Sequence, residues 1–126
     1  MGRVILDTSV LIAINNDGDS HYKSATSALL EASPWVGISV ISFSEFLVGF
    51  GQRTDFEEIR ISIFKKFDEV FNVDVEIASL AVRIRSEKKL KLPDALISAS
   101  ATLKNCELWT FDVSLAKSHP SSRLLI

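Results

Sequence analysis

Four acids in this chain interrupt or border apolar segments instead of lying on polar ones: Asp7, Glu45, Asp94 and Asp112. Asp7 closes the run Val4-Ile5-Leu6 and is followed by two hydroxyls, Thr8 and Ser9. Asp112 closes Leu108-Trp109-Thr110-Phe111 in the same manner. Glu45 is the only acid in residues 41–50, and Asp94 follows Pro93 at the head of a stretch of alanines and serines. A carboxylate in an apolar setting costs free energy unless hydrogen bonds or a cation offset it. Four in one pocket would repel, and some would be protonated without a cation. An all-oxygen donor set with room for water is what Mg²⁺ or Mn²⁺ prefers. The competing account is structural: Asp7 and Asp94 cap helices, and Glu45 and Asp112 face solvent. Spacing alone leaves both accounts open.

The elements around these acids predict how they meet. Residues 4–6 read as a strand buried on both faces and residues 10–15 as a short helix, with Thr8 or Ser9 as its N-cap. Asp19 or Ser20 caps a helix over about 21–32, which Ser33-Pro34 ends. Residues 35–38 read as a second strand and 41–50 as a helix, closed by Gly49-Phe50-Gly51. Thr54 or Asp55 caps a helix over 56–67 with acids in its first turn and lysines in its last, as the helix dipole favours. A weak strand over 71–73 and a long helix over 75–90 follow. Pro93 then opens a helix with Asp94 in its first turn. Residues 107–110 read as a strand, 112–117 as a short helix and 123–126 as a last strand. This alternation predicts an α/β fold: a single domain over residues 1–126, with a mainly parallel central sheet of four to five strands flanked by helices. In such a sheet, ligands bind outside the carboxyl ends of the strands, where Asp7 and Asp112 fall.

Composition narrows the classes. Among 126 residues, 47% are hydrophobic and 24% charged, as in ordinary globular domains. The longest uncharged run, residues 32–44, is too short to cross a bilayer. The N-terminal apolar stretch contains Asp7 and lacks a small-residue cleavage site, so no signal peptide is read. One cysteine, Cys106, forms no internal disulfide and fits a reducing cytoplasm. With no CxxC or HExxH, and with His21 and His119 far apart, zinc is not expected. Net charge is −2 but unevenly spread: residues 55–76 hold seven acids against three bases, and residues 83–104 six bases against two acids. That asymmetry permits a basic patch on an acidic protein, or simply a solvated helix face. The nucleophile elbow GxSxG and the phosphate-loop signature GK[ST] are both missing. A phospho-acceptor reading of Asp7 expects a neighbouring acid, which Thr8-Ser9-Val10 does not supply.

Taken in order, four motifs resemble those of the PIN-domain nucleases, in particular the VapC-like toxins of toxin–antitoxin systems. Val-Ile-Leu-Asp7-Thr-Ser is similar to the opening motif of that family. Ile38-Ser-Val-Ile-Ser-Phe-Ser-Glu45-Phe-Leu-Val-Gly49 resembles its second, Lys91-Leu-Pro-Asp94-Ala-Leu-Ile-Ser-Ala-Ser-Ala its third, and Leu108-Trp-Thr110-Phe-Asp112 its last. Leu115 departs from the phenylalanine that members often carry three residues after the fourth acid.

The resemblance implies metal-dependent hydrolysis of RNA phosphodiesters with one or two Mg²⁺ or Mn²⁺ ions. Asp7, Glu45 and Asp94 would form the core of the metal site and Asp112 would complete it. Thr8, Ser9 and Thr110 would orient carboxylates or water. Arg83, Arg85, Lys88, Lys89, Lys91 and Lys104 surround the segment that delivers Asp94 and are candidates to hold RNA phosphates. The resemblance further implies a homodimer and a small antitoxin partner lying in an apolar groove. Seven of the eight phenylalanines fall between residues 43 and 71. If two short helices cannot bury them all, Phe43, Phe46, Phe50 and Phe56 are the candidates to line that groove. A housekeeping RNA-processing enzyme, or a PIN-fold binding module without catalysis, would carry the same motifs.

Overall fold

The fold is described from a computed structural model covering residues 2–125. Five strands form one sheet: β1 (Arg3–Leu6), β2 (Trp35–Ser39), β3 (Glu69–Phe71), β4 (Glu107–Thr110) and β5 (Ser122–Leu124). Their order is β3-β2-β1-β4-β5 and every pairing is parallel. The helices are α1 (Thr8–Ile14), α2 (Tyr22–Ala32), α3 (Val40–Leu47), α4 (Phe56–Lys66), α5 (Val75–Lys88), α6 (Leu92–Leu103) and α7 (Val113–Ser118). The expected helix over 41–50 tightens into a 3₁₀ turn at Val48–Phe50. The expected third strand begins two residues earlier, at Glu69. The expected last strand ends at Leu124, and Ile126 lies outside the described residues.

The apolar run of β1 is divided between two cores because side chains alternate across a strand. Val4 and Leu6 join Val10, Leu11, Ala25, Ala28 and Trp109 on the face covered by α1 to α4. Ile5 joins Ile77, Ala81, Ala95, Ala99, Leu108 and Leu115 on the face covered by α5 to α7. Both neighbours of β1 follow it in sequence, so the chain leaves this central strand toward β2 and returns on its other side as β4. That reversal opens a crevice at the carboxyl end of β1, the place where such sheets bind ligands. Among the described residues no helix is long and apolar enough to cross a membrane.

Gly37 is a point of close approach in the sheet. It sits in β2 opposite Ile5 of β1 and Glu69 of β3. A Cβ there would lie 2.7 Å from the Phe71 ring, 3.1 Å from the Trp35 ring and 3.2 Å from the Glu69 carbonyl oxygen. Phe71 is fully buried and cannot swing aside. Gly37→Ala should therefore destabilise the fold by about 1–3 kcal/mol through overpacking, read as a lower urea midpoint with unchanged slope. A midpoint equal to wild type would show that β3 can shift freely.

Candidate active site

Asp7 is the cap of α1, a role expected of Thr8 or Ser9. Its φ of −75° and ψ of 174° are extended, and its Oδ1 accepts the Val10 N–H at 3.1 Å. The same oxygen accepts the Ser9 hydroxyl at 2.6 Å, and Oδ2 accepts the Thr110 hydroxyl of β4 at 2.5 Å. The residue is 4% exposed. Burial pushes its pKa above the ordinary carboxylate value; the bonds from Ser9, Thr110 and Val10 oppose that rise, and the charge of Asp112 adds to it. Asp7 therefore does cap α1, at the carboxyl end of β1.

The other acids gather on the same edge. Thr110 Oγ1 accepts the Asp112 N–H at 2.9 Å, so one hydroxyl links both acids that follow strands. Asp112 is exposed and caps α7, accepting the Leu115 N–H at 3.1 Å. Leu115 is fully buried, and its departure from phenylalanine leaves that cap in place. Glu45 is exposed on α3, where Oε1 accepts the Thr8 hydroxyl at 2.5 Å. Thr8 Oγ1 is 3.2 Å from the buried Ser42 Oγ. Having given its proton to Glu45, it is placed to accept one from Ser42, a contact the sequence did not suggest. Asp94 is half-buried in the first turn of α6. Its pKa is raised first by burial and then by the charges of Asp112, Asp7 and Glu45, with Lys91 opposing. The charges of the other three acids therefore reach Asp94, and that of Asp112 reaches Asp7.

Among the described residues no three acids, histidines or cysteines already close around a single point. Asp7 and Glu45 are each engaged by hydroxyl or N–H donors. The donor set is nevertheless all oxygen, and it suits a cation that keeps several waters and takes only one or two carboxylates with substrate phosphate.

The candidate basic residues divide. Arg85, Lys89 and Lys91 line an open cleft of about 370 Å³ at the α5–α6 junction, beside Asp94. Lys89 there takes the left-handed conformation (φ 56°) that turns the chain, and Arg85 donates to the Leu90 carbonyl at 3.2 Å. Arg83 and Lys88 are exposed on α5 and do not line the cleft. Lys104 is a correction. It follows the far end of α6, about 15 Å from Asp94 by helix rise, with Nζ 5.7 Å from the centre of the Phe71 ring.

The phenylalanines also need correcting, because the helices bury more of them than expected. Phe46 is 9% exposed within the core, and Phe43, Phe50 and Phe56 are half-buried against it. The exposed ring is Phe64 at 55%. Phe46 and Phe50 still edge an open groove of about 420 Å³ with Arg53, Glu58 and Ile59.

A carboxyl with a raised pKa holds its proton more tightly in the folded chain than in the unfolded one. Its contribution to stability therefore falls as pH rises from the unfolded value through the raised value. Asp94→Asn, measured without divalent ions, should flatten that fall and raise the melting temperature at neutral pH by roughly 2 °C or more. Calorimetry from mild acid to neutrality reads both. A lower melting temperature with an unchanged pH slope would show that the four acids do not share a field.

The chain matches the PIN domain family over residues 4–118. No curated protein matches it. Its fold is similar to a toxin–antitoxin complex from Klebsiella pneumoniae (30% identity, 98% of each chain, TM-score 0.81). It is also similar to VapC20 of Mycobacterium tuberculosis, described as a sarcin-ricin loop cleaving toxin (20% identity, 91% of this chain and 94% of that one, TM-score 0.74). DNA-bound VapBC from Salmonella typhimurium shares the fold at 19% identity, over 98% of this chain and 96% of that one, with a TM-score of 0.72. The five parallel strands, the acids at their carboxyl edge and the match over residues 4–118 lead to one conclusion: this chain belongs to the PIN-domain family.

Proposed function

We propose that this protein is a Mg²⁺- or Mn²⁺-dependent endoribonuclease, the toxin of a toxin–antitoxin pair, with Asp7, Glu45, Asp94 and Asp112 as its metal-binding and catalytic acids. The observation that carries the proposal is geometric: Thr110 bonds to both Asp7 and Asp112, and Thr8, next to Asp7, bonds to Glu45, on the edge where Asp94 feels the charge of the other three. The similarity to a toxin–antitoxin complex at 30% identity supports the toxin role. RNA as substrate draws support from the basic cleft beside Asp94 and from the likeness to a sarcin-ricin loop cleaving toxin.

Asp7 and Asp94 would hold the cation, since they are the two more buried of the four acids. Glu45 and Asp112, both exposed, stand on the rim where they can orient an attacking water. A bound Mg²⁺ or Mn²⁺ supplies Lewis-acid stabilisation of phosphoryl charge and a water of lowered pKa. Ser9 and Thr110 keep the Asp7 carboxylate in one orientation, and Thr8 does so for Glu45. Arg85, Lys89 and Lys91 would receive phosphates flanking the one that is cut. An antitoxin segment would occupy the groove edged by Phe46 and Phe50, and the exposed Val75 and Val82 on one side of α5 offer surface for a homodimer.

EDTA should abolish RNA cleavage, and Mg²⁺ or Mn²⁺ should restore it. Asp94→Asn should lower the rate by at least about a hundredfold, a loss at the upper end of that seen when groups orienting a metal are removed. Full activity of folded Asp94→Asn protein in Mg²⁺ would overturn the site. Replacing Arg85, Lys89 and Lys91 together with alanine should weaken RNA binding and reduce the salt slope by about 2, for three phosphates on a single strand. An unchanged slope would return the cleft to a solvated surface.

A further inference from the structure

The two histidines are used differently. His119 is buried, with Nδ1 2.7 Å from Ser98 Oγ, as a core histidine should be. His21 is half-exposed, and its imidazole stacks on the ring of Phe111 with centroids 4.1 Å apart and planes 19° from parallel. We propose that the His21–Phe111 pair is a base platform, on which an unpaired nucleobase next to the scissile phosphate stacks. This inference rests on the ribonuclease reading and deepens it. It assigns the substrate as RNA whose base at that position is free of a duplex.

Position is the first argument. Phe111 lies between Thr110 and Asp112, both part of the acid edge. Its N–H donates to Ser9 Oγ at 3.3 Å, and the Ser9 hydroxyl donates to Asp7 Oδ1 at 2.6 Å. Two hydrogen bonds thus tie the backbone of the platform to the central carboxylate. His21 is fixed in turn, because its N–H donates to Asp19 Oδ1 at 2.8 Å and its carbonyl accepts the Ala25 N–H at 3.0 Å. With both main chains anchored and the rings already stacked on each other, the pair loses little entropy when a base joins it.

Charge is the second. Asp7 and Asp112 repel a phosphate near Phe111, whereas a nucleobase is neutral and any base offers a π-face. The cations of the cleft stand beyond Asp94, with α5 and α6 on the other side of the sheet from the core against which Phe111 packs. A strand crossing the acids would therefore rest a base on one side and its phosphates on the other.

The probe is a short unstructured oligoribonucleotide with 2-aminopurine placed at each position in turn, bound with Ca²⁺ replacing Mg²⁺ to withhold cleavage. Wild type should quench the fluorophore at one position, and an abasic residue there should weaken binding roughly tenfold, within the range for one base–aromatic stack. His21→Ala and Phe111→Leu should lose the quench, weaken binding to a similar extent and raise KM with kcat little changed. Both should become insensitive to the abasic change. His21→Phe should retain quench and affinity, so a folding defect in His21→Ala leaves the test intact. If wild type cleaves RNA while both variants bind and quench as it does, the platform is wrong and the ribonuclease reading stands. Loss of the quench in folded His21→Phe would also overturn stacking. If wild type neither binds nor cleaves RNA, both readings fall together.

Discussion

The burial of one carboxylate at the end of the central strand is the constraint on which the rest of the structure depends. Asp7 is charged at neutral pH only if donors replace the water it has lost, since an unpaired buried charge costs several kcal/mol. Two donors come from its own helix, Ser9 and the Val10 N–H, and the third is Thr110 on β4. That third bond requires β4 to lie directly beside β1. The Asp7 N–H accordingly continues the ladder to the Trp109 carbonyl at 3.1 Å. Because Thr110 Oγ1 also accepts the Asp112 N–H, satisfying Asp7 places Asp112 without a further contact. The sheet order and the site are thus two consequences of one requirement.

The remaining acids arrive from opposite faces, and small residues make that possible. On α6, Ala95, Ala99 and Ala101 and the hydroxyls of Ser98 and Ser100 are all buried, which lets the helix lie close to the sheet. Both serine hydroxyls are satisfied: Ser100 donates to the Leu96 carbonyl at 2.9 Å within its helix, and Ser98 pairs with His119 beyond α7. Asp94 is thereby carried to the edge from the α5–α6 side. On the other side, Ser42 is buried on α3 three residues before Glu45 and contacts Thr8. A larger residue at either place would push its helix, and hence its acid, outward.

Much of this was legible in the sequence, for reasons that differ by residue. The strand ends at Asp7 and Asp112 were visible because an apolar run ending in an acid is rare and positional. Asp94 was visible because Pro93 fixes a helix start. The parallel sheet followed from alternation alone. What could not be read was anything that depends on two distant segments meeting. Thr110 was a hydroxyl two residues before an acid until β4 was placed beside β1. His21 looked isolated because Phe111 is ninety residues away, and the only hint was an aromatic ring between two site residues. Lys104 was grouped with the cleft by proximity in sequence, though a helix of twelve residues separates the two ends. The phenylalanines were overcounted for a related reason: composition cannot show that two α-helices and a 3₁₀ turn seat their rings in a shared core.

The fold itself lowers the cost of assembling four acids before any cation arrives. In a parallel sheet a helix that follows a strand starts at the carboxyl edge, as α1 and α7 do, and a helix that leads back into a strand, as α6 leads into β4, starts at that edge too. Asp7 caps α1, Asp112 caps α7 and Asp94 lies in the first turn of α6. Each is therefore set against a partial positive charge worth about 0.3–1 kcal/mol to an anion. Glu45 sits inside α3, not at its start, and receives no such help. It is exposed, where water solvates it, and takes the Thr8 hydroxyl instead. The deepest acid, Asp7, has three donors, whereas Asp112 and Glu45 accept one each and are exposed to water. Repulsion that these dipoles leave uncancelled persists at Asp94, where three like charges raise the pKa against Lys91.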